Sequence, residues 1–321
     1  MDPTTWLRVG RYSASREFVE NDLPDPVLTE DYGHDGQQFY VLAATFPDLA
    51  DAQGHVDKLR YRARRVLVPA LVSPVPTGEP LIWSIFVVNL AAVGAAAVAV
   101  GHLARRLGTT AWLGLVVAVT PAMVESVEGS LADAPAFAFA LWGVVQWRRR
   151  PWLAAAFFLL AALCRETTLV APLACALVAP RGHRAPMLAP LGVFAAWVVA
   201  VSLWLPPTPG ASSSNLLEDA LVQFDWPFAA WLQVGLGSQA VLLGAVLTVA
   251  SLAAAWMLRD RLPEISLWLL AEAALLVVSS EAVVSRGQNF ARVAPLALTA
   301  IALALGSRLR PRGAPTPIAA T

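Results

Sequence analysis

The sequence predicts an all-α integral membrane protein, a polytopic helical bundle of about nine spans preceded by a polar segment at the membrane surface. Three observations lead there. Hydrophobic residues make up 57% of the 321 and charged residues only 14%, where a soluble domain carries about a quarter. From Leu81 onward, apolar runs follow one another with short charged turns between them. The charges of those turns change sign from one turn to the next. The net charge is zero, so nothing in the balance calls for a nucleic-acid partner.

Residues 1–80 hold no run that could span. A crossing helix needs about 20 apolar residues, and the best local stretch, Val66 to Val75, is broken by Pro69 and Pro74. It reads as an interfacial or re-entrant piece. Residues Met1 to Arg16 lack the apolar core of a signal peptide. The spans that follow are Leu81–Gly101, Thr109–Val124, Leu131–Trp147, Trp152–Cys164, Thr167–Ala179, Pro186–Leu205, Leu236–Leu258, Ile265–Ser280 and Phe290–Gly306. Gly94, Gly101 and Gly108 make a small-residue face for close helix packing. Residues 206–235 read as a longer loop holding Glu218, Asp219, Asp225 and Trp226, and the Arg/Pro-rich tail 307–321 reads as disordered. The expected organisation is therefore a polar segment 1–80, a bundle 81–306 and a tail 307–321.

The turns sort by charge. One set carries Arg105 and Arg106, Arg148 to Arg150, Arg181 and Arg184, Arg259 and Arg261, then Arg308, Arg310 and Arg312; the positive-inside rule makes these cytoplasmic. The other set carries Glu125, Glu128 and Asp133, then Glu218, Asp219 and Asp225, then Glu281, and faces outward. The expected location is the plasma membrane, with residues 1–80 extracytoplasmic and the tail inside. A folded outer segment of that size needs a helix ahead of it to be translocated. The count therefore asks for one more span upstream, or else for an amino segment that stays inside and a count wrong by one.

Several ionisable residues stand out. The run Trp152–Cys164 rises only about 20 Å as helix, against a hydrocarbon layer of about 30 Å. Arg165 and Glu166 should therefore sit below the headgroups, either as functional groups or as an ion pair that pins two short helices. Asp133, after the acidic Glu125–Glu128 turn, reads as a first-turn acid favoured by the helix dipole or as a wall of the same site. Glu272 in mid-span reads as an interhelical hydrogen-bonding group or a proton-relay residue. Arg286 also breaks the charge rule on the outward side. Arg292 reads as a snorkelling arginine or an anion clamp. In the amino segment, Asp35 lies between Gly33 and Gly36, where the backbone can turn tightly and admit a close approach; the bland reading is a surface Asp-Gly turn. Gln37 offers donor and acceptor, and Phe39 and Tyr40 could face a sugar ring or anchor the segment. Arg60, Arg62, Arg64 and Arg65 form an arginine cluster suited to phosphate or to a headgroup surface. Cys164 and Cys175 lie in apolar runs and read as buried fillers; no disulfide or zinc spacing is present, and no Walker A loop, HExxH or GxSxG motif.

Tyr32-x-x-Asp35-Gly36-Gln37-x-Phe39-Tyr40, followed by Tyr61-Arg62-x-x-Arg65-x-Leu67-x-Pro69, resembles a group of bacterial multi-pass proteins with a Tyr-Asp-Gly-Gln-Phe-Tyr signature. That group is similar to the GT-C glycosyltransferases. Asn89, Asp133 before Pro135, and Arg165-Glu166-Thr167 extend the likeness over most of the chain at scattered positions. Two features depart from the pattern: Gly33 and His34 separate Tyr32 from Asp35, and the helix that precedes the acidic motif in GT-C proteins is missing. The resemblance implies a GT-C-like fold and a membrane enzyme that moves a sugar from a polyprenyl-phosphate donor to a glycan or lipid acceptor of the cell envelope. It implies Asp35 as the catalytic residue, either the general base or the group that orients the acceptor hydroxyl, with Arg60, Arg62, Arg65, Arg165 and Arg292 on the developing phosphate charge. Gln37, Tyr40, Asp133 and Glu166 would be substrate-binding. A divalent cation is used by some such enzymes and not by others. A transporter or flippase for a lipid-linked or anionic solute, using Arg165, Glu166 and Glu272, is the competing reading, and a non-catalytic or truncated family member is a third.

Overall fold

The computed structural model describes residues 2–207, 228–235, 238–279 and 294–308. The described chain is almost entirely helical. Its one sheet pairs two-residue strands β1 (Val9–Gly10) and β2 (Leu28–Thr29) in parallel. The amino segment holds four short helices: α1 (Arg16–Asp22), α2 (Asp35–Thr45), α3 (Leu59–Ala63) and α4 (Leu67–Val72). The bundle begins with α5 (Glu79–Arg106), then a 3-10 stretch Ala111–Val119, α6 (Pro121–Glu128), α7 (Asp133–Gln146), α8 (Pro151–Cys164), a 3-10 turn Glu166–Leu169, α9 (Val170–Val178) and α10 (Arg181–Trp204). After them come α11 (Ala229–Val234), α12 (Gln239–Leu258), α13 (Pro263–Val277) and α14 (Ala294–Arg308).

Three of these helices, α5, α10 and α12, are long and apolar enough to cross a membrane, and a fourth crossing arises if the bent pair Ala111–Val119 and Pro121–Glu128 acts as one span. The expected nine are therefore not nine full-length helices. Apolar run length does not reveal where a helix stops. The run Thr109–Val124 breaks before Pro121, and its halves meet at 56°, because proline lacks the N–H that would continue the ladder. The first half is 3-10, which rises about 2 Å per residue, so its nine residues reach farther than an α-helix of equal length. Helices α7 and α8, with 14 residues each, rise only about 21 Å.

Small residues set one close packing. A Cβ on Gly114 would fall 2.0 Å from the Ala97 carbonyl oxygen of α5, and one on Gly101 would fall 3.0 Å from Ala111 O. Of the expected small-residue face, Gly101 is in use, whereas Gly94 meets nothing within 4 Å and Gly108 lies past the end of α5.

The bundle has two distinct ends. At one, Arg106 donates to the Val145 carbonyl, and Arg148 (3.0 Å) and the Trp147 indole (3.3 Å) meet the buried Glu264 at the start of α13. At the other end sits the amino segment. Its core, including Leu7, Val9, Phe39, Tyr40, Leu42 and Leu59, runs without interruption into Leu81, Ile82 and Ile85 of α5, Ala136 of α7, Cys164 of α8, and Val201 and Leu205 of α10. Residues 1–80 are thus docked onto the bundle. Gly36 is one reason: a Cβ there would lie 2.4 Å from the Gly129 carbonyl oxygen. The close approach that Gly36 permits is that of the α6–α7 turn.

Candidate functional site

The site lies where the amino segment meets the ends of α7 and α8. Asp35 is the first residue of α2, after His34 in extended conformation, so the helix dipole favours its negative charge. Helix α3 and the turn after it bring Arg62 and Arg65 to it. Arg62 Nη1 lies 2.8 Å from Asp35 Oδ1, and Arg65 Nη1 lies 3.7 Å from Oδ2. Each arginine also holds a second acid through the edge formed by Nε and Nη2. Arg62 grips Asp57 at 2.8 and 2.7 Å. Arg65 grips Glu166 at 2.8 and 2.6 Å, reaching from the amino segment to the foot of α9. Tyr61 completes the group. Its hydroxyl lies 3.4 Å from Glu166 Oε1 and accepts from Arg65, and the Arg65 guanidinium stacks 4.6 Å over its ring. Beside Glu166, Arg165 pairs with Asp133 at the start of α7. Arg165 is also close enough to Glu272 for their charges to interact.

The result is an alternating chain of charge: Asp57, Arg62, Asp35, Arg65, Glu166, with the Arg165–Asp133 pair adjoining it. Burial by itself would push the Arg62 and Arg65 guanidiniums down. The carboxylates facing them more than offset this and raise both. Burial pushes the Asp57 carboxyl up, but its bonds to Arg62 prevail and hold it below its ordinary value. Alternation of this kind can hold a protein interface rigid. It can also be opened by a ligand anion that exchanges with one of the carboxylates.

Of the residues singled out in the sequence, Asp35, Arg62, Arg65 and Glu166 are in direct contact, and Asp133 and Arg165 pair next to them. Three others are engaged elsewhere. The Gln37 side chain is buried and accepts from Gly10 N (3.1 Å) while donating to Tyr32 O (2.7 Å), so its amide ties β1 to the turn before α2. Tyr40 is fully buried, and its hydroxyl donates to Asp22 and accepts from Gly78 N (2.8 Å). Burial and Asp22 push that hydroxyl's pKa up, and no face of its ring is open to a sugar. Arg60 donates to the Leu205 carbonyl at 3.0 Å and caps α10. Arg286 and Arg292 lie outside the described residues. Tyr61 stands in the quoted motif without an expected role, and Asp57 is new to the group; an acid just ahead of an arginine run is the signal that could have found it. Among the described residues no group of three or more His, Cys, Asp or Glu side chains is arranged to hold a metal. The carboxylates of the site, Asp35, Asp57, Asp133 and Glu166, each face a guanidinium, a donor set that does not fit a divalent cation.

Comparison with protein-family models, with curated proteins and with solved structures returns no match.

Proposed function

We propose that this chain is a GT-C-like membrane glycosyltransferase that takes a sugar from a polyprenyl-phosphate donor at the end of the bundle where the amino segment docks. In this reading the shorter helices cross the bilayer together with α5, α10 and α12, the arginine-rich turns face the cytoplasm, and residues 1–80 face outward. The acceptor is a glycan or lipid of the cell envelope.

The observation that supports it most is the position of Asp35 between two arginines at a helix N-terminus, beside the Glu166 and Arg165–Asp133 groups of the bundle. A carboxylate paired with two guanidiniums is a weak base. A donor phosphate entering the group would compete for Arg62 and Arg65 and free Asp35 as it did so. Asp35 then takes the proton of the acceptor hydroxyl as that oxygen attacks the anomeric carbon. The bond from that carbon to the phosphate oxygen breaks, and the lipid phosphate leaves with the electron pair. The arginines stabilise its charge, and the base contributes about 10²–10⁴-fold.

The test is transfer from polyprenyl-phosphate hexoses and pentoses in membranes carrying the protein or its Asp35→Ala variant at equal abundance. Transfer lost with Asp35 supports the reading; transfer unchanged removes Asp35 from it. A second reading, a transporter for an anionic or lipid-linked solute, draws on Glu272, whose Oε2 is buried without a hydrogen-bond partner inside α13. It predicts solute flux in proteoliposomes with no new glycosidic bond, abolished by Glu272→Gln.

A further inference from the structure

The run Arg60–Arg65 contains four arginines, and three of them are engaged. Arg60 holds the Leu205 carbonyl, Arg62 holds Asp57 and Asp35, and Arg65 holds Glu166 and Asp35. Arg64 is different. It is only 7% exposed, yet its Nε and Nη2 are buried and have no hydrogen-bond partner. These two nitrogens form the same edge of the guanidinium that Arg62 and Arg65 each fill with a carboxylate. An arginine cannot escape burial by shedding its charge, and a buried charge left uncompensated is strongly unfavourable. Two parallel N–H groups in one plane match the oxygens of a phosphate or carboxylate.

The surroundings narrow the choice. The Arg64 carbonyl accepts from the Trp197 indole at 3.2 Å, which sets it against α10, one of the three helices able to cross a membrane. Trp197 lies seven residues before the helix ends at Trp204, about 10 Å along its axis, so Arg64 sits near one end of a helix long enough to span. Leu203 and Trp204 on the same helix are exposed, as expected of residues that face lipid.

We propose that Arg64 is a phosphate-binding residue whose Nε/Nη2 edge takes the phosphate group of a membrane lipid at the junction of α3 and α10. The site gives the glycosyltransferase reading a docking place for the donor phosphate ahead of its exchange onto Arg62 and Arg65, and to that extent rests on it, although binding requires no transfer.

The experiment uses the full chain in detergent and follows thermal unfolding and direct binding with three probes: a short-chain polyprenyl phosphate, the matching uncharged polyprenol, and inorganic phosphate. The expected result is stabilisation by polyprenyl phosphate and none by polyprenol. Stabilisation by inorganic phosphate as well would identify a free-anion site of the same chemistry; stabilisation by the lipid alone, a headgroup site. Arg64→Met removes the unpaired charge at similar volume. It should unfold at a temperature equal to or above wild type without ligand and lose the ligand response. Arg64→Lys keeps the charge but not the fork, and should bind about ten-fold or more weakly. The inference is overturned if wild type responds to neither phosphate probe, or if both variants bind as wild type does. Transfer assayed in parallel separates the two ideas. Binding that depends on Arg64 without any transfer leaves this site standing and removes the enzyme reading; transfer that is indifferent to Arg64 removes this site alone.

Discussion

Arg65→Met and Glu166→Gln, made singly and together, should reveal a coupling of about 2–3 kcal/mol between the amino segment and the bundle. The figure follows from the geometry. Arg65 donates twice to Glu166, at 2.8 and 2.6 Å, and the two side chains are 8% and 26% exposed. Hydrogen bonds between charged groups contribute about 1.5–3 kcal/mol each, so the gross gain is about 3–6 kcal/mol. Desolvation removes part of that, and partial exposure of Glu166 screens part of the rest. The single variants should differ in a particular order. Arg65→Met leaves Glu166 with the Tyr61 hydroxyl at 3.4 Å, its own backbone N–H and the neighbouring Arg165 charge, and takes one of two cations from Asp35. Glu166→Gln leaves Arg65 with Asp35 at 3.7 Å and a neutral amide still able to accept. Arg65→Met should therefore cost about 3 kcal/mol and Glu166→Gln about 2 kcal/mol, with the double variant well short of the sum. The assay is equilibrium unfolding of all four proteins in the same micelles, read on a probe in residues 1–80. A coupling below about 0.5 kcal/mol, the value of a surface pair, would refute the claim that this pair fastens the segment; so would a Glu166→Gln variant weaker than Arg65→Met.

Three further outcomes are expected. Gly36→Ala should cost about 1–3 kcal/mol, because its Cβ would meet the Gly129 carbonyl oxygen at 2.4 Å, whereas Gly94→Ala, with nothing within 4 Å, should unfold at or above the wild-type temperature. Tyr40→Phe strips a buried partner from Asp22 and Gly78 and should cost about 1–3 kcal/mol, read as faster proteolysis in the 73–78 turn. Asp57 titrates in the folded protein below its ordinary value of 3.8 because Arg62 outweighs the effect of burial. A folded pKa below the unfolded one gives stability that is complete above about pH 4 and is lost as the pH falls through the folded value. Acid unfolding of residues 1–80 should therefore steepen below about pH 4, and Asp57→Asn should flatten that slope.

The sequence showed the helical class and the oddity of Arg165-Glu166 for a sound physical reason. Apolar composition reports burial or lipid, and a run of about 13 residues rises only about 20 Å as helix, which is why the charged pair after it stood out. It overcounted full-length spans because apolar runs do not announce breaks, as the bend at Pro121 shows. For the site, the residue types were legible and the pairings were not. Gln37 and Tyr40 have the chemistry of sugar-binding groups, and only the fold reveals that Gly10, Tyr32, Asp22 and Gly78 already use their polar atoms.

The arginine run makes the same point more sharply. In sequence, Arg60, Arg62, Arg64 and Arg65 are interchangeable cations near an aspartate. The helical turn of α3 sends them in different directions. Arg62 and Arg65, three apart and on one face, converge on Asp35 and bring Asp57 and Glu166 into one chain of charge. Arg60 points to the end of α10, and Arg64, between the paired arginines, ends buried with its fork unmatched. Anion binding was expected of the cluster as a whole. The paired arginines are the ones whose forks are already filled, so a new anion must displace a carboxylate there, whereas at Arg64 it need displace none. The arginine that looked least distinctive in the sequence is therefore the one whose fork has no carboxylate to give up to a phosphate.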